Sequence, residues 1–392
     1  MKVLSVNAGS SSLKFTLFEM PAQKELVSGN FEKIALENSF YTIKLNGEKI
    51  QKEISLTSHR AAFELLVQEL VSNNIVSNLT EIEAIAHRIV HGGAFFKESA
   101  LATAENIQKV EELAPLAPLH NPAALVGLRS AMEIFPNAAQ TLVFDTAFHQ
   151  TMAKSEYLYA VPYEWYTNYG VRKYGFHGTS HKYVSLRANE ILGKTDSKLI
   201  ICHLGNGASI SAIKDGKCIA TSMGMTPNAG LVMGTRCGDI DATLIPFIMA
   251  QTGKTIAEID SILNKQSGLL AISGVSNDAR DVEDGIFAGD ERCTLAMEML
   301  TQRVVDYVAE YYVKLEGCDM LVFTAGLGER STYVRELVCK KLACLGVEID
   351  AVANEAFGKE TKLNTENSKV AVYIIPTNEE LMLAVDAYNL VK

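Results

Sequence analysis

The residues best able to do chemistry are two arginines, a histidine and a carboxylate, each at the end of an apolar run or among glycines. Arg88 stands inside the apolar run that ends in Val90-His91-Gly92-Gly93. Asp145 closes the run TLVFD and precedes Thr146, Phe148 and His149. His177 lies in YGFHGTSH and Arg236 in GTRCGD. A guanidinium fork matches a carboxylate or a phosphoryl group. A histidine can donate to a phosphoryl oxygen, and an aspartate at a strand end can orient a substrate or Mg²⁺-bound water. Two cations and a donor are what phosphoryl transfer calls for. Each residue also has a plainer reading. Arg88 could form a structural ion pair, Arg236 a loop salt bridge, and Asp145 a helix cap. His177 and His181 stand four apart, but Gly178 between them and the lack of a third nearby ligand weigh against a metal pair.

Two segments about 200 residues apart share one local design. VLSVNAGSSSLKFTLF at 3–18 and LIICHLGNGASISAI at 199–213 each read as a buried strand, a tight polar turn and a returning strand. Gly and Ser in such turns let backbone N–H groups approach an anion, and the hydroxyls add donors. Asn7, Ser10, Ser12 and Lys14 belong to the first turn, and His203 to Ser209 span the second. A solvated hairpin is the bland alternative for either one, and GxxxxGK[ST] is absent. The repeat implies two related domains facing a nucleotide's phosphates. Weaker signals are Asp278-Ala279-Arg280, the GxG of Gly326-Leu327-Gly328-Glu329-Arg330, and Thr377-Asn378-Glu379-Glu380, where Glu379 could cap a helix or approach Mg²⁺.

The elements that must hold these residues alternate. Strands are expected at 28–34, 40–45, 82–90, 141–145, 198–203, 208–213 and 218–221. Further strands are expected from 320, running into a Gly loop by 330, and from 370 to Pro376. Helices are expected at 58–72 with Ser58 as cap and Ala61, Leu65, Leu66 and Val67 as its apolar stripe. Others fall at 104–113, 122–134, 241–251, 255–266, 289–316 and 379–390. In the 289–316 helix, Leu295, Met299, Val304, Val308 and Tyr311 form the expected core face. This alternation predicts an α/β architecture with ligands beyond the carboxyl ends of the strands.

Composition narrows the classes. The 392 residues are 48% hydrophobic and 21% charged, which is ordinary for a globular protein and long enough for two domains. A formal net charge of −10 argues against nucleic-acid or anionic-membrane binding. No apolar run approaches a membrane span, and the N-terminal segment lacks the pattern of a secretory signal. Seven cysteines at 202, 218, 237, 293, 318, 339 and 344 show no CxxC spacing. Reduced, mostly buried thiols in a cytoplasmic protein are expected.

Taken in order and over almost the whole chain, NAGSSSLKF, HRIVHGG, FDTAFH, YGFHGTSH, HLGNGAS, MGTRCGD, DAR, FTAGLGE and PTNEE resemble the acetate kinase family. That family belongs to the sugar kinase, Hsp70 and actin superfamily. The resemblance implies two duplicated actin-like (ribonuclease H-like) domains with a nucleotide cleft between them. Their expected extents are 1–149 joined by a C-terminal helix at 381–392, and 150–380. It implies reversible phosphoryl transfer from ATP to acetate, giving acetyl phosphate and ADP, with Mg²⁺ (Mn²⁺ as a substitute) and a homodimer. Residue by residue, it places Asn7 and Glu379 at the metal, and Arg88 and Arg236 on acetate and the transferring group. His177 falls at the transition state and Asp145 as the catalytic acidic residue. Val90, Leu119 and Pro227 would line the methyl pocket. Lys14, His203, Leu204, Gly205, Asn206, Gly207, Asp278, Ala279, Arg280, Gly326, Leu327, Gly328, Glu329 and Arg330 would form the nucleotide site.

Members of the family commonly carry Asn where this chain has Arg330, which bears on nucleotide preference. Related propionate kinases tend to have a smaller residue at Val90, so Val90 leans toward acetate. The alternatives are a propionate or butyrate kinase of the same family and, in another class, a nucleotide-dependent switch like Hsp70 or actin.

Overall fold

The computed structural model describes residues 1–118 and 120–392. Leu119, expected in the methyl pocket, lies outside the described residues. The chain forms two compact units, Met1–Phe148 with Asn378–Lys392, and His149–Thr377. Residues 378–380, grouped in the sequence reading with the second domain, belong to the first unit, because the helix Glu379–Val391 begins there and packs on that unit's sheet.

In the first unit the strands are β1 (Lys2–Ala8), β2 (Ser12–Glu19), β3 (Lys24–Glu32), β4 (Phe40–Leu45), β5 (Glu48–Glu53), β6 (Ile82–Ile89), β7 (Ala100–Leu101) and β8 (Ala139–Phe144). Their order across the sheet is β5-β4-β3-β2-β1-β6-β8-β7. β1 and β2 are antiparallel, as are β2 and β3, whereas β6 runs parallel to β1 and β8 parallel to β6. The second unit contains β9 (Lys198–Leu204), β10 (Ala208–Lys214), β11 (Lys217–Thr221), β12 (Met320–Thr324), β13 (Thr361–Lys362) and β14 (Ala371–Ile374), in the order β11-β10-β9-β12-β14-β13. Here too the first three strands are antiparallel neighbours, and β12 and β14 run parallel to β9. The run β3-β2-β1-β6-β8 is therefore repeated as β11-β10-β9-β12-β14. The duplication anticipated from two short hairpins extends to the topology of both sheets. In each, the parallel strands end on the same side as the Gly-bearing turn.

Apolar residues of β1, β2 and β3 pack with Phe63, Leu66 and Leu70 of the helix His59–Ser72 and with Phe135, which meets Phe63 edge-on at 6.2 Å. Ser5 is the polar exception inside β1. Its hydroxyl donates to the Glu380 carbonyl at 2.6 Å and fastens the last helix to the sheet. Ser58 caps His59–Ser72 as expected, but of its predicted stripe only Leu66 is buried. The core face is His59, Ala62, Phe63, Leu66 and Leu70, turned by about one residue from the predicted stripe.

The long helix Glu291–Lys314 shows a similar shift. Val304, Val308 and Tyr311 are buried, but Leu295 and Met299 are 49% and 40% exposed. The buried stripe instead runs through Cys293, Ala296, Met297 and Leu300. The segment after β12, expected as a loop, is the short helix Ala325–Arg330. β5 was missed, because its EKIQKE is exposed along its whole length and lacks an apolar alternation. Among the described residues no helix is long and apolar enough to cross a membrane. All seven cysteines are free, with Cys202, Cys218, Cys293 and Cys339 buried.

His87 lies in β6, 2% exposed, with Nε2 2.8 Å from Gln140 Oε1. Burial lowers its pKa to about 4, and the Gln140 contact opposes this only partly. The unfolded chain binds a proton on this ring near pH 6.5, so the native state is favoured by its neutrality at higher pH. Its contribution is complete above about 6.5 and is lost as pH falls toward 4, at up to about 1.4 kcal/mol per pH unit. Urea unfolding at pH 7, 6 and 5 should show stability falling with acid, and His87→Gln should flatten part of that slope.

Candidate active site

In the first unit the geometry gathers around Arg88. Its Nε donates to Asp145 Oδ1 at 3.0 Å and its Nη2 to Oδ2 at 2.7 Å, while Nη1 stands 3.9 Å from Glu379 Oε2. Parallel pairing sets this up, since Arg88 registers with Val143 and Asp145 follows β8 directly. The Arg88 side chain is 22% exposed and Asp145 only 2%. Burial works against the arginine's charge, but Asp145 and Glu379 outweigh it and hold the guanidinium protonated. Burial pushes the Asp145 carboxyl up, Arg88 pulls it back by charge and hydrogen bonding, and Glu379 adds a push upward. The ion pair considered for Arg88 is thus present. It uses the two-pronged edge of the guanidinium and leaves Nη1 on the side of Glu379. Val90, just past β6, is half-buried.

Asn7 pairs with Lys14 across β1 and β2. Lys14 is ion-paired with Glu380, and Ser5, two residues before Asn7 on the same face of β1, holds the Glu380 carbonyl. The first turn of Glu379–Val391 therefore lies over Asn7. The cap of that helix is Asn378, whose Oδ1 accepts from Leu381 N at 3.0 Å, so Glu379 is free of the capping role.

The second unit brings together His177, the β9–β10 turn and Arg236. His177 precedes the helix Gly178–Leu192 as its N-cap, with φ of 57°. Its Nδ1 is 2.9 Å from Ser209 Oγ and its ring stacks on His203 at 4.2 Å. A Cβ placed on Gly207 would stand 3.2 Å from Arg236 Nη1 and 3.6 Å from His177 Nε2, so all three meet at that turn. Arg236 is half-buried. Its Nη1 donates to the Pro227 carbonyl at 3.2 Å, and burial alone lowers its pKa. Among the described residues no carboxylate pairs with it, so the loop salt bridge is not made. A half-buried guanidinium beside a histidine nitrogen and a glycine turn has the chemistry to take an anion.

Next to that turn is a cavity of about 460 Å³. Of the expected nucleotide residues, Gly205, Asn206, Asp278, Ala279, Arg280, Gly326, Leu327 and Arg330 line it. His203, Leu204, Gly207, Gly328 and Glu329 do not. His203 Nδ1 meets Ser180 Oγ at 2.7 Å, and a Glu329 oxygen accepts from Thr377 N at 3.2 Å. Lys14 belongs to the other unit. Gly234, from the GTRCGD motif, also lines it, and lining residues that the motifs did not reveal are Leu269, Asn277, Glu283, Leu300, Ser331 and Phe357. Leu269 and Leu300 look like ordinary core residues in the sequence, and Phe357 lies outside every motif. Its ring lies 5.5 Å from the Arg330 guanidinium carbon.

Asp278 caps Ala279–Phe287 and also chelates Arg280, which is 83% exposed. Those bonds lower the Asp278 carboxyl to about 2. Arg335 is wholly buried and donates to the carbonyls of Gly328, Asn354 and Ala356 and to Asn354 Oδ1. It thereby ties the short helix Ala325–Arg330 to the segment leading to Phe357.

Comparison with known proteins gives one family. The acetokinase family model matches residues 2–385. The acetate kinase of Geobacillus kaustophilus is 50% identical over 391 residues, 99% of each chain. That of Bacillus cytotoxicus is 50% identical over 392 residues, 99% of this chain and 98% of its own. Among solved structures, Porphyromonas gingivalis acetate kinase superposes with a TM-score of 0.95 at 46% identity, and a propionate kinase from Francisella tularensis with 0.94 at 45%, each covering 100% of both chains.

Gly234 is required by close approach. A Cβ there would stand 1.9 Å from Asn206 Oδ1 and 2.8 Å from the Asn277 carbonyl, inside the cavity wall. Gly234→Ala should therefore destabilise the fold by about 1–3 kcal/mol. Denaturant unfolding at neutral pH measures this, and an unchanged midpoint would show that the wall yields.

Proposed function

This chain belongs to the acetokinase family, and from that premise we infer that it catalyses reversible transfer of the γ-phosphoryl group of ATP to acetate, giving acetyl phosphate and ADP. The observation that carries the reading is Arg236, a half-buried cation with no carboxylate partner among the described residues, facing the same glycine turn as His177. Such a group is compensated only when an anion arrives.

The chemistry is limited by charge. Acetate is already ionised at pH 7 and needs no general base, but an anion must approach an anionic phosphate. Arg236 and the His177 Nε2 side supply fixed positive potential where charge spreads over the transferring group. In this reading Nη1 of Arg88 holds the acetate carboxylate. Asp145, expected as the catalytic acidic residue, spends its oxygens on Arg88 and orients it. From the family resemblance, Val90 is the residue of the first unit that would meet the methyl group. The cavity at Gly205, Asn206, Asp278–Arg280 and Arg330 takes the nucleoside, with Leu269, Leu300 and Phe357 as apolar walls. His203, Gly207, Gly328 and Glu329 support it from behind.

Mg²⁺ fits the oxygen donors at one place. The Asn7 amide and the Glu379 carboxylate lie where β1 meets the last helix, and one or two protein ligands suffice when phosphates and water complete the shell. Bound there, the ion would neutralise phosphate charge.

A homodimer is supported by the helix Leu244–Thr252. Its sequence LIPFIMAQT is almost wholly apolar, yet none of its residues is buried and Phe247 is 62% exposed. An apolar helix left in water is the mark of an interface.

Acyl phosphate formed from Mg-ATP with acetate, propionate and butyrate, trapped as the hydroxamate, tests the reaction. Acetate should give the most product and propionate less, because one methylene is worth about 1–3 kcal/mol. No acyl phosphate from any acid would overturn the reading. Arg236→Ala should lower kcat by roughly 10³-fold or more, with folding retained. Near-normal turnover would remove Arg236 from the mechanism. Phe247→Asp should shift the protein from dimer to monomer in light scattering after gel filtration, and an unchanged mass would place the interface elsewhere.

A further inference from the structure

Behind His177 lies a buried chain that fixes which of its ring nitrogens carries the proton. Ser209 Oγ is 2.9 Å from His177 Nδ1 and 2.8 Å from His181 Nε2, and Ser209 itself is fully buried. One hydroxyl has one proton, so it can donate to only one of the two rings and must accept from the other.

His181 decides which. Its ring is completely buried, and its Nδ1 has no hydrogen-bond partner. Burial, reinforced by His149 and His203, pushes its pKa well down, so the ring is neutral and carries a single proton. A proton on Nδ1 would leave a buried N–H donor unsatisfied, at the full desolvation cost of that group. The proton therefore sits on Nε2 and is donated to Ser209, and the Ser209 hydroxyl is donated to His177 Nδ1. His177 Nδ1 is then an acceptor, and the neutral ring keeps its proton on Nε2. That is the nitrogen facing Gly207 and Arg236.

The backbone serves the same end. His181 N donates to the His177 carbonyl at 2.9 Å, so the residue at φ 57° is held by the helix it caps while its ring is held by the serine.

We propose that Ser209 and His181 are positioning residues for phosphoryl transfer, acting together to hold His177 as an Nε2–H donor aimed at the transferring group. The proposal rests on the reaction inferred above. It involves no net proton transfer, since each hydrogen stays on its own heavy atom.

The test is a kinetic cycle on the full-length protein with Mg-ATP and acetate. Wild-type enzyme is assayed first, and absence of acetyl phosphate there would overturn the inferred reaction rather than the relay. Given wild-type product, Ser209→Ala should lower kcat roughly 10–100-fold and leave KM for ATP and acetate within about twofold. In a His177→Ala background the same change should have no further effect, because the serine acts only through that ring. His181→Gln, which keeps an amide N–H near the position of Nε2, should retain most of kcat. His181→Leu should lose as much as Ser209→Ala. Thermal melts by circular dichroism confirm folding, and the His181 pair serves if Ser209→Ala does not fold. Wild-type kcat in Ser209→Ala, an equal loss in the His177→Ala background, or a His181→Gln variant as slow as His181→Leu would each overturn the proposal.

Discussion

A guanidinium taken out of water without a counter-charge is costly, and Arg236 is kept in that condition. It is half-buried, and among the described residues its partners are a carbonyl and a thioether. Two other arginines show the alternatives that were open to it. Arg88 is compensated by Asp145 and Glu379, and stays charged through burial. Arg335 is fully buried and satisfied by neutral oxygens of the Gly328 and Asn354–Ala356 segments, with burial lowering its pKa to about 10. The first is aimed by a carboxylate, and the second knits two segments together. Arg236 keeps a charge that no carboxylate meets among the described residues. The turn at Gly207 and the ring of His177 converge on that unspent charge.

The duplicated sheets explain why such a site is available. Each unit places a hairpin turn beside the ends of parallel strands, where backbone donors point out of the sheet. The copies are loaded differently. In the first unit the turn is accompanied by acids from the last helix, held by Ser5 and Lys14. In the second it is accompanied by histidines and serines, with Ser209 and Ser180 each bonded to more than one neighbour. One topology thus carries acids of the last helix beside its turn in one copy, and histidines, serines and Arg236 beside it in the other.

The strand runs, the cap Ser58 and the strand-end positions of Arg88 and Asp145 were legible because each is local, whereas the caps Asp278 and Asn378 were not read, the last helix being given Glu379 instead. A strand, a cap or a turn is set by residues within a few positions of one another. Helix faces were less legible. Leu295 and Met299 are as apolar as Met297 and Leu300, and only the partner elements choose which row turns inward. The GLGER segment could be placed after its strand, but its closing as a helix depends on Arg335 reaching the Gly328 carbonyl from seven residues on.

The sequence by itself determined the α/β alternation, the repeated hairpins, the family and the cast of reactive residues, since these lie in short motifs whose order survives without a structure. Tertiary structure alone decided their pairing. It gave Asp145 to Arg88, left Arg236 without a carboxylate among the described residues, brought Phe357 to the wall of the second unit's cavity and set Ser209 between two histidines. Those outcomes depend on residues tens to hundreds of positions apart meeting at hydrogen-bond distance. Chain spacing carries no information about such distances until the sheets have set the register.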